Sequence, residues 1–225
     1  MALKAARDFA RKQRAVAGPL NIVLPRSAHP AFDKAAALME VEVRRVPVVD
    51  YLADVGAMAA AADAATVMIV GSAPNFPYGL IDPIGPLSDL ALERELWLHV
   101  DACVGGYIAP FVRMNGGEVP PFDFELPAVR SISADLHKYG YCSKGASTVF
   151  FRSAELMAFM TFDFRDWPGG RMVTPTLAGT RPGGAISAAW AVMNFLGIEG
   201  YRAKHALVTE ARERIAAGVE APLAQ

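Results

Sequence analysis

An aspartate ends the apolar run Trp97-Leu98-His99-Val100-Asp101, and a lysine follows a second one in Ser131-Ile132-Ser133-Ala134-Asp135-Leu136-His137-Lys138. A lysine amine condenses with an aldehyde. A carboxylate beside a pyridine nitrogen keeps that nitrogen protonated, so the ring can take up an electron pair. Pyridoxal 5'-phosphate (PLP) asks both tasks of the protein that binds it. Lys138 and Asp101 are thus candidate catalytic and cofactor-binding residues.

Each also has an ordinary reading. Aspartate after a strand often closes a turn, and lysine is by default a solvated surface residue. Ala102 and Cys103 weigh toward a site, because small residues after a buried carboxylate leave room for a flat ring. Gly105-Gly106 are expected to let the chain reverse tightly. The small apolar run before Lys138 is expected to desolvate its amine in part, which favours the neutral nucleophile. Lys144, in Cys142-Ser143-Lys144-Gly145, reads either as a second active-site lysine or as a solvated loop residue. His29, just ahead of Pro30, reads as a helix cap or as an imidazole stacked on a cofactor ring. Thr180-Arg181-Pro182-Gly183-Gly184 is a Gly-rich turn into a helix, where backbone N–H groups can bind phosphate. His99 and His205 read as structural or exposed, and no metal-ligand spacing is present.

The elements that must position these groups alternate. A helix is expected over 1–16, where Leu3, Ala6, Phe9 and Ala10 share a face. Strands are expected over 21–24, 40–48, 66–70, 96–100, 131–134 and 148–151. Helices are expected over 30–39, 51–62, 84–95, 185–196 and 201–220. Strands that alternate with helices predict an α/β sandwich with a largely parallel sheet. Ligands bind such sheets at the carboxyl ends of the strands. Asp101, Ser72-Ala73 and His137-Lys138 all fall at that edge.

Composition narrows the rest. The 225 residues are 53% hydrophobic and 20% charged, enough to bury a large core. A net charge of -1 gives no electrostatic case for nucleic acid or an anionic membrane. Asp63 interrupts the most apolar window, 57–73, which reads as a helix end plus a strand and not a membrane span. Two cysteines outside any CxxC pattern, with no leader visible, fit a reduced, cytoplasmic setting.

Several runs together resemble the group II decarboxylase superfamily of PLP enzymes, and within it the sphingosine-1-phosphate lyase family. They are Ala28-His29-Pro30-Ala31-Phe32-Asp33-Lys34-Ala35, Phe76-Pro77-Tyr78-Gly79-Leu80-Ile81-Asp82-Pro83 and His99-Val100-Asp101-Ala102-Cys103-Val104-Gly105-Gly106. Ser133-Ala134-Asp135-Leu136-His137-Lys138-Tyr139-Gly140-Tyr141, Lys144-Gly145 and Gly179-Thr180-Arg181-Pro182-Gly183-Gly184 continue the series. The resemblance implies a fold-type-I PLP large domain, with an incomplete, largely parallel sheet of the seven-stranded type sandwiched by helices. It implies that Lys138 is the cofactor lysine, Asp101 the pyridinium partner, and His29 the residue stacked over the ring. Ala102 or Cys103 would pack beneath, His137 and Thr180 would hold the phosphate, and Lys144 would be a second active-site lysine.

The implied activity is carbon–carbon cleavage of a phosphorylated sphingoid base, in a homodimer with shared active sites. An amino-acid decarboxylase is the alternative enzyme, and an inactive fragment or dimerising subunit the alternative to an enzyme. Members of that family are longer. Their Gly-Gly-Thr-Glu phosphate loop has no counterpart here, so the chain is expected to be a cofactor-binding core truncated at both ends. Residues 1–198 would form the large domain, and 199–225 the start of a connection to a small domain.

Overall fold

The run Thr66-Val67-Met68-Ile69-Val70-Gly71-Ser72 is buried at every position, as expected of a parallel strand covered on both faces. It is β5 of a six-stranded sheet in this computed structural model, which describes residues 1–220. The other strands are β1 (Leu20–Pro25), β2 (Val41–Val46), β6 (Trp97–Asp101), β7 (Val129–Ala134) and β8 (Thr148–Phe151). Their order is β2-β1-β5-β6-β7-β8. All neighbours pair in parallel except β8, which runs antiparallel to β7. The sheet has one strand fewer than the seven-stranded type among the described residues.

Alternation along the strands sorts the core into two layers. Val23, Ile69, Leu98 and Val100 face α3 (Val55–Ala61) and α4 (Ile84–Glu93). Ile22, Leu24, Met68, Val70 and Trp97 face α1 (Ala2–Gln13) and α2 (Ala31–Met39). Each such fully buried side chain contributes about 1.5–3 kcal/mol. Phe9 of α1 meets Trp97 edge-on with ring centroids 5.6 Å apart, which seats that helix on the layer from which Asp101 also projects.

Three sequence expectations change. The helix expected over 51–62 begins only at Val55. Asp50 and Tyr51 take positive φ values of 49° and 66°, and the chain makes a two-strand turn, β3 (Val48–Val49) against β4 (Leu52–Ala53). Asp54 then caps α3 by accepting from the Ala57 N–H at 2.9 Å. The second change concerns Gly105 and Gly106, neither of which adopts positive φ. They are glycines because neighbours approach them: a Cβ on Gly105 would lie 2.3 Å from the Ala73 carbonyl oxygen, and one on Gly106 would lie 2.7 Å from Ala134 Cβ. Close packing of the loops after β5, β6 and β7 is their reason, not chain reversal.

The third change is added structure: α5 (Ala109–Met114), α6 (Ala154–Ala158) and the hairpin of β9 (Phe162–Phe164) with β10 (Met172–Thr174). The two last expected helices run on as α7 (Gly183–Glu220), bent at Gly197, where φ is 56° and ψ is -173°. Residues 221–225 of the expected connecting segment lie outside the described residues. No described helix is long and apolar enough to cross a membrane.

Candidate active site

A cavity of about 670 Å³ opens where β5, β6 and β7 end, within the range of small-molecule sites. His29, Ser72, Asp101, Cys103, His137 and Lys138 all contribute to its wall. The apolar side chains Leu3, Phe32, Phe76, Met160 and Leu177 also line it, as does Arg181.

Asp101 is the last residue of β6, and the register sets Ser133 of β7 beside it. Its Oδ1 accepts from the Ser133 hydroxyl at 3.1 Å and from the Cys103 backbone N–H at 3.1 Å. Its Oδ2 has no protein donor among the described residues. Two places back on the same face lies His99, 1% exposed. The His99 ring reaches Ser133 Oγ through Nε2 at 3.3 Å and Ser131 Oγ through Nδ1 at 2.8 Å. Trp97, two further back, donates from Nε1 to Ser131 Oγ at 2.7 Å. Burial holds the His99 pKa down to about 4, against the pull of the Asp101 charge. Burial, and then the same Asp101 charge, pushes the Cys103 thiol up, so Cys103 is no thiolate at neutral pH.

The loop behind Asp101 is fixed by a second buried carboxylate. Asp82, 1% exposed, accepts from the Ser72 N–H at 2.8 Å and the Ala53 N–H at 3.0 Å. Burial raises its pKa, and those hydrogen bonds work the other way. Asp82 thereby ties the end of β5 to the β3–β4 turn.

Lys138 sits in the turn after β7. Its side chain is 34% exposed, and its Nζ pairs with Asp135 Oδ2 at 3.1 Å. The amine is thus only partly withdrawn from solvent, because β7 stops at Ala134 and the turn carries Lys138 out to the rim. Asp135 also accepts from Ser147 Oγ at 2.5 Å and lies 3.6 Å from His137 Nε2. Its burial would raise its pKa, but the Ser147 hydrogen bond and the Lys138 charge outweigh this and lower it. His137 Nδ1 donates to the Ala146 carbonyl at 3.4 Å.

His29 fits both of its readings. Its Nδ1 accepts from the Ala31 N–H at 3.1 Å in the first turn of α2, and its ring lines the cavity. Ala102 is fully buried behind the wall, while Cys103 faces the cavity. Thr180 and Lys144 are exposed and lie outside the wall, whereas Arg181, next to Thr180, is part of it. The Lys138 turn itself is braced from α7, where Tyr201 donates to the Gly140 carbonyl at 2.8 Å and stacks on Phe111 at 4.9 Å.

Sequence reading missed His99, Asp135 and Asp82. Only for His99 was a signal present: it shares a face with Asp101 at the strand period of two. No described group of histidine, cysteine and carboxylate residues is arranged to hold a metal.

The donor set fits PLP. It offers an amine at the rim, a carboxylate with one oxygen free of protein donors at the base, an imidazole on the α2 side, and Arg181, His137 and Ser147 for an anion. Comparison with known proteins agrees. Residues 2–223 match the pyridoxal-dependent decarboxylase conserved domain. A sphingosine-1-phosphate lyase of Oryza sativa is 44% identical over 98% of the chain and 41% of its own length. A probable L-tyrosine/L-aspartate decarboxylase of Methanosarcina acetivorans is 41% identical over 82% of the chain and 46% of its own. The structure of a Burkholderia pseudomallei sphingosine-1-phosphate lyase superposes with a TM-score of 0.89 at 45% identity, covering 93% of this chain and 48% of that one. The chain thus spans less than half the length of each of these three relatives.

Proposed function

The chain belongs to the pyridoxal-dependent decarboxylase family, and from that premise we propose that it forms the cofactor-binding core of a lyase. Its substrate would be a phosphorylated long-chain amino alcohol of the sphingosine 1-phosphate type, and its products a long-chain aldehyde and phosphoethanolamine. The observation that carries this reading is the single cavity that joins Lys138 and Asp101 to an apolar wall and to Arg181. The lyases at 44–45% identity support the same substrate class.

Bound PLP supplies an electron sink, conjugated to the substrate nitrogen, for the pair released when the carbon–carbon bond breaks. The chain's own residues do the rest. Asp101 would offer Oδ2 to the ring nitrogen and keep a proton there, because Oδ1 is already committed to Ser133 and Cys103. Lys138 would hold the cofactor at its aldehyde, giving up its ion pair with Asp135. His29 would stack on the ring, and Cys103 would pack against it with Ala102 buried behind. His137, Ser147 and Arg181 would hold phosphate, with Thr180 adjacent to Arg181 but outside the wall. Phe32, Phe76, Met160 and Leu177 exclude water and receive a hydrocarbon chain. Phe162, Phe164, Trp167 and Trp190 are large, exposed and apolar, which supports a second copy covering them in a homodimer.

The test is to supply the PLP-reconstituted protein with a phosphorylated sphingoid base and, separately, with tyrosine and aspartate. Aldehyde from the first is the expected product. Carbon dioxide from the amino acids without aldehyde would favour the decarboxylase reading, which the archaeal relative supports. Neither product, with cofactor bound, would leave a non-catalytic core.

A further inference from the structure

We infer that His99 is a positioning residue for Asp101: a neutral imidazole protonated on Nε2 that aims the Ser133 hydroxyl at Asp101 Oδ1 and so keeps Oδ2 turned to the cavity. This rests on the reading of the cavity as a PLP site.

The direction of each hydrogen bond follows from the ends of the chain. Trp97 Nε1–H can only donate, and the Asp101 carboxylate can only accept. Ser131 Oγ receives the Trp97 proton at 2.7 Å, so its own hydroxyl is free to donate to His99 Nδ1 at 2.8 Å. The ring then carries its proton on Nε2 and donates it to Ser133 Oγ at 3.3 Å. Ser133 in turn donates to Asp101 Oδ1 at 3.1 Å and also accepts from the Cys103 thiol at 3.3 Å. In this arrangement every donor and every necessary acceptor is used.

The other protonation states fail the same count. With the proton on Nδ1, Ser131 would accept twice and its hydroxyl would have nowhere to point. Nε2 would then compete with Asp101 for the single Ser133 proton. A doubly protonated ring would strand the Ser131 hydroxyl and place a cation in a site that is 1% exposed. The groups that face the ring from the packed elements are Asp101 on its own strand, the Met1 ammonium ahead of α1, Phe32 of α2 edge-on at 5.7 Å, the two serine hydroxyls of β7, and the Ser131 backbone, which like Asp101 favours the protonated ring. Burial outweighs the one carboxylate among them and keeps the ring neutral. The role of the ladder is to spend Oδ1 on the protein, which leaves Oδ2 as the oxygen for the ring nitrogen.

Two readouts test this. In cofactor-free protein labelled with 15N-histidine, His99 should show a protonated Nε2 and an unprotonated Nδ1, unchanged from pH 8 to pH 5. A protonated Nδ1 would overturn the assignment. The second readout is the absorbance of bound PLP against pH, with its dissociation constant, in wild type and in His99→Leu, Ser133→Ala, His99→Gln and Asp101→Asn. His99→Leu and Ser133→Ala should each weaken PLP binding about tenfold, the loss of one hydrogen bond to a charged group, and shift the absorbance transition in the same direction as Asp101→Asn. His99→Gln keeps an N–H near the Nε2 position and should restore most of both. If Asp101→Asn shifts the spectrum while the Leu and Ala variants do not, the positioning role fails and the cofactor site stands. If Asp101→Asn itself changes nothing, the cofactor reading fails.

Discussion

The base and the rim of the cavity are built on opposite principles. At the base, Trp97, His99, Asp101, Ser131 and Ser133 stand on two neighbouring strands, and their hydrogen bonds form a closed series in a dry layer. At the rim, Lys138 is 34% exposed in a turn, and its partner is one exchangeable ion pair with Asp135. The difference teaches where each task can be placed. A carboxylate that must hold one orientation belongs on a strand whose register locks it, as precise sites generally do. An amine that must leave one partner for another belongs on a turn, where the exchange costs little. Loops behind the base are held just as firmly, by Asp82 and by the close approach of Gly105 to Ala73.

The sharpest way to break this contrast is Asp101→Asn against Asp135→Asn. The first should lower turnover of the PLP-reconstituted protein by about 10²–10³-fold, the scale of a lost preorganised electrostatic contact. Its fold should persist, because the Asn carbonyl oxygen still accepts from Cys103 and Ser133. Asp135→Asn should act more weakly. Equal losses in steady-state assays would erase the distinction between base and rim.

The next effect is on stability. Asp82→Ala leaves the Ser72 and Ala53 N–H groups buried without partners, at about 1–3 kcal/mol each. Urea unfolding should show that loss, whereas Lys144→Ala should stay within about 0.5 kcal/mol of wild type. An Asp82→Ala protein as stable as wild type would show that the base does not depend on its backing loop.

Acid sharpens the comparison further. The folded-state pKa of His99 is lowered to about 4, below the ordinary histidine value of about 6.5. Between those values the unfolded chain binds more protons, so stability falls as pH drops from about 6.5 to about 4. Melting curves across that window should show the slope, and His99→Gln should remove most of it. An unchanged slope in the variant would assign it to other groups.

The smallest effect belongs to the rim pair. Asp135 has a lowered pKa, so its contribution is present above the ordinary carboxylate value and is lost as pH falls through the folded-state value. Asp135→Asn should cost no more than about 1 kcal/mol, because the Lys138 partner is partly solvated. Added salt should narrow the gap between wild type and variant. A large, salt-independent cost would mean that the rim is as rigid as the base.

The sheet and the identity of its chemical edge were legible in the sequence, because buried parallel strands read as unbroken apolar runs and their ends carry Asp101 and Lys138. What stayed hidden depends on contacts between distant segments. His99 looked like any core histidine until the β6–β7 register set Ser131 and Ser133 beside it. Asp135 could not be paired with Ser147, because the pairing depends on how β8 returns along β7. Gly105 and Gly106 were read for their freedom of φ, when the reason was a neighbour's carbonyl and methyl group in space. The late start of α3 was lost in an alanine-rich run whose helical propensity outweighed the weak turn signal at Asp50-Tyr51.

One measurement bears most directly on the central claim, that the cavity at the ends of β6 and β7 holds PLP between Lys138 and Asp101. The protein is incubated with PLP, reduced with borohydride, digested and mapped by mass spectrometry. The account predicts a pyridoxyl group on the peptide that contains Lys138, and its loss in Lys138→Ala. A pyridoxyl group on Lys144 or Lys34 instead, or equal labelling spread over many lysines, would contradict it.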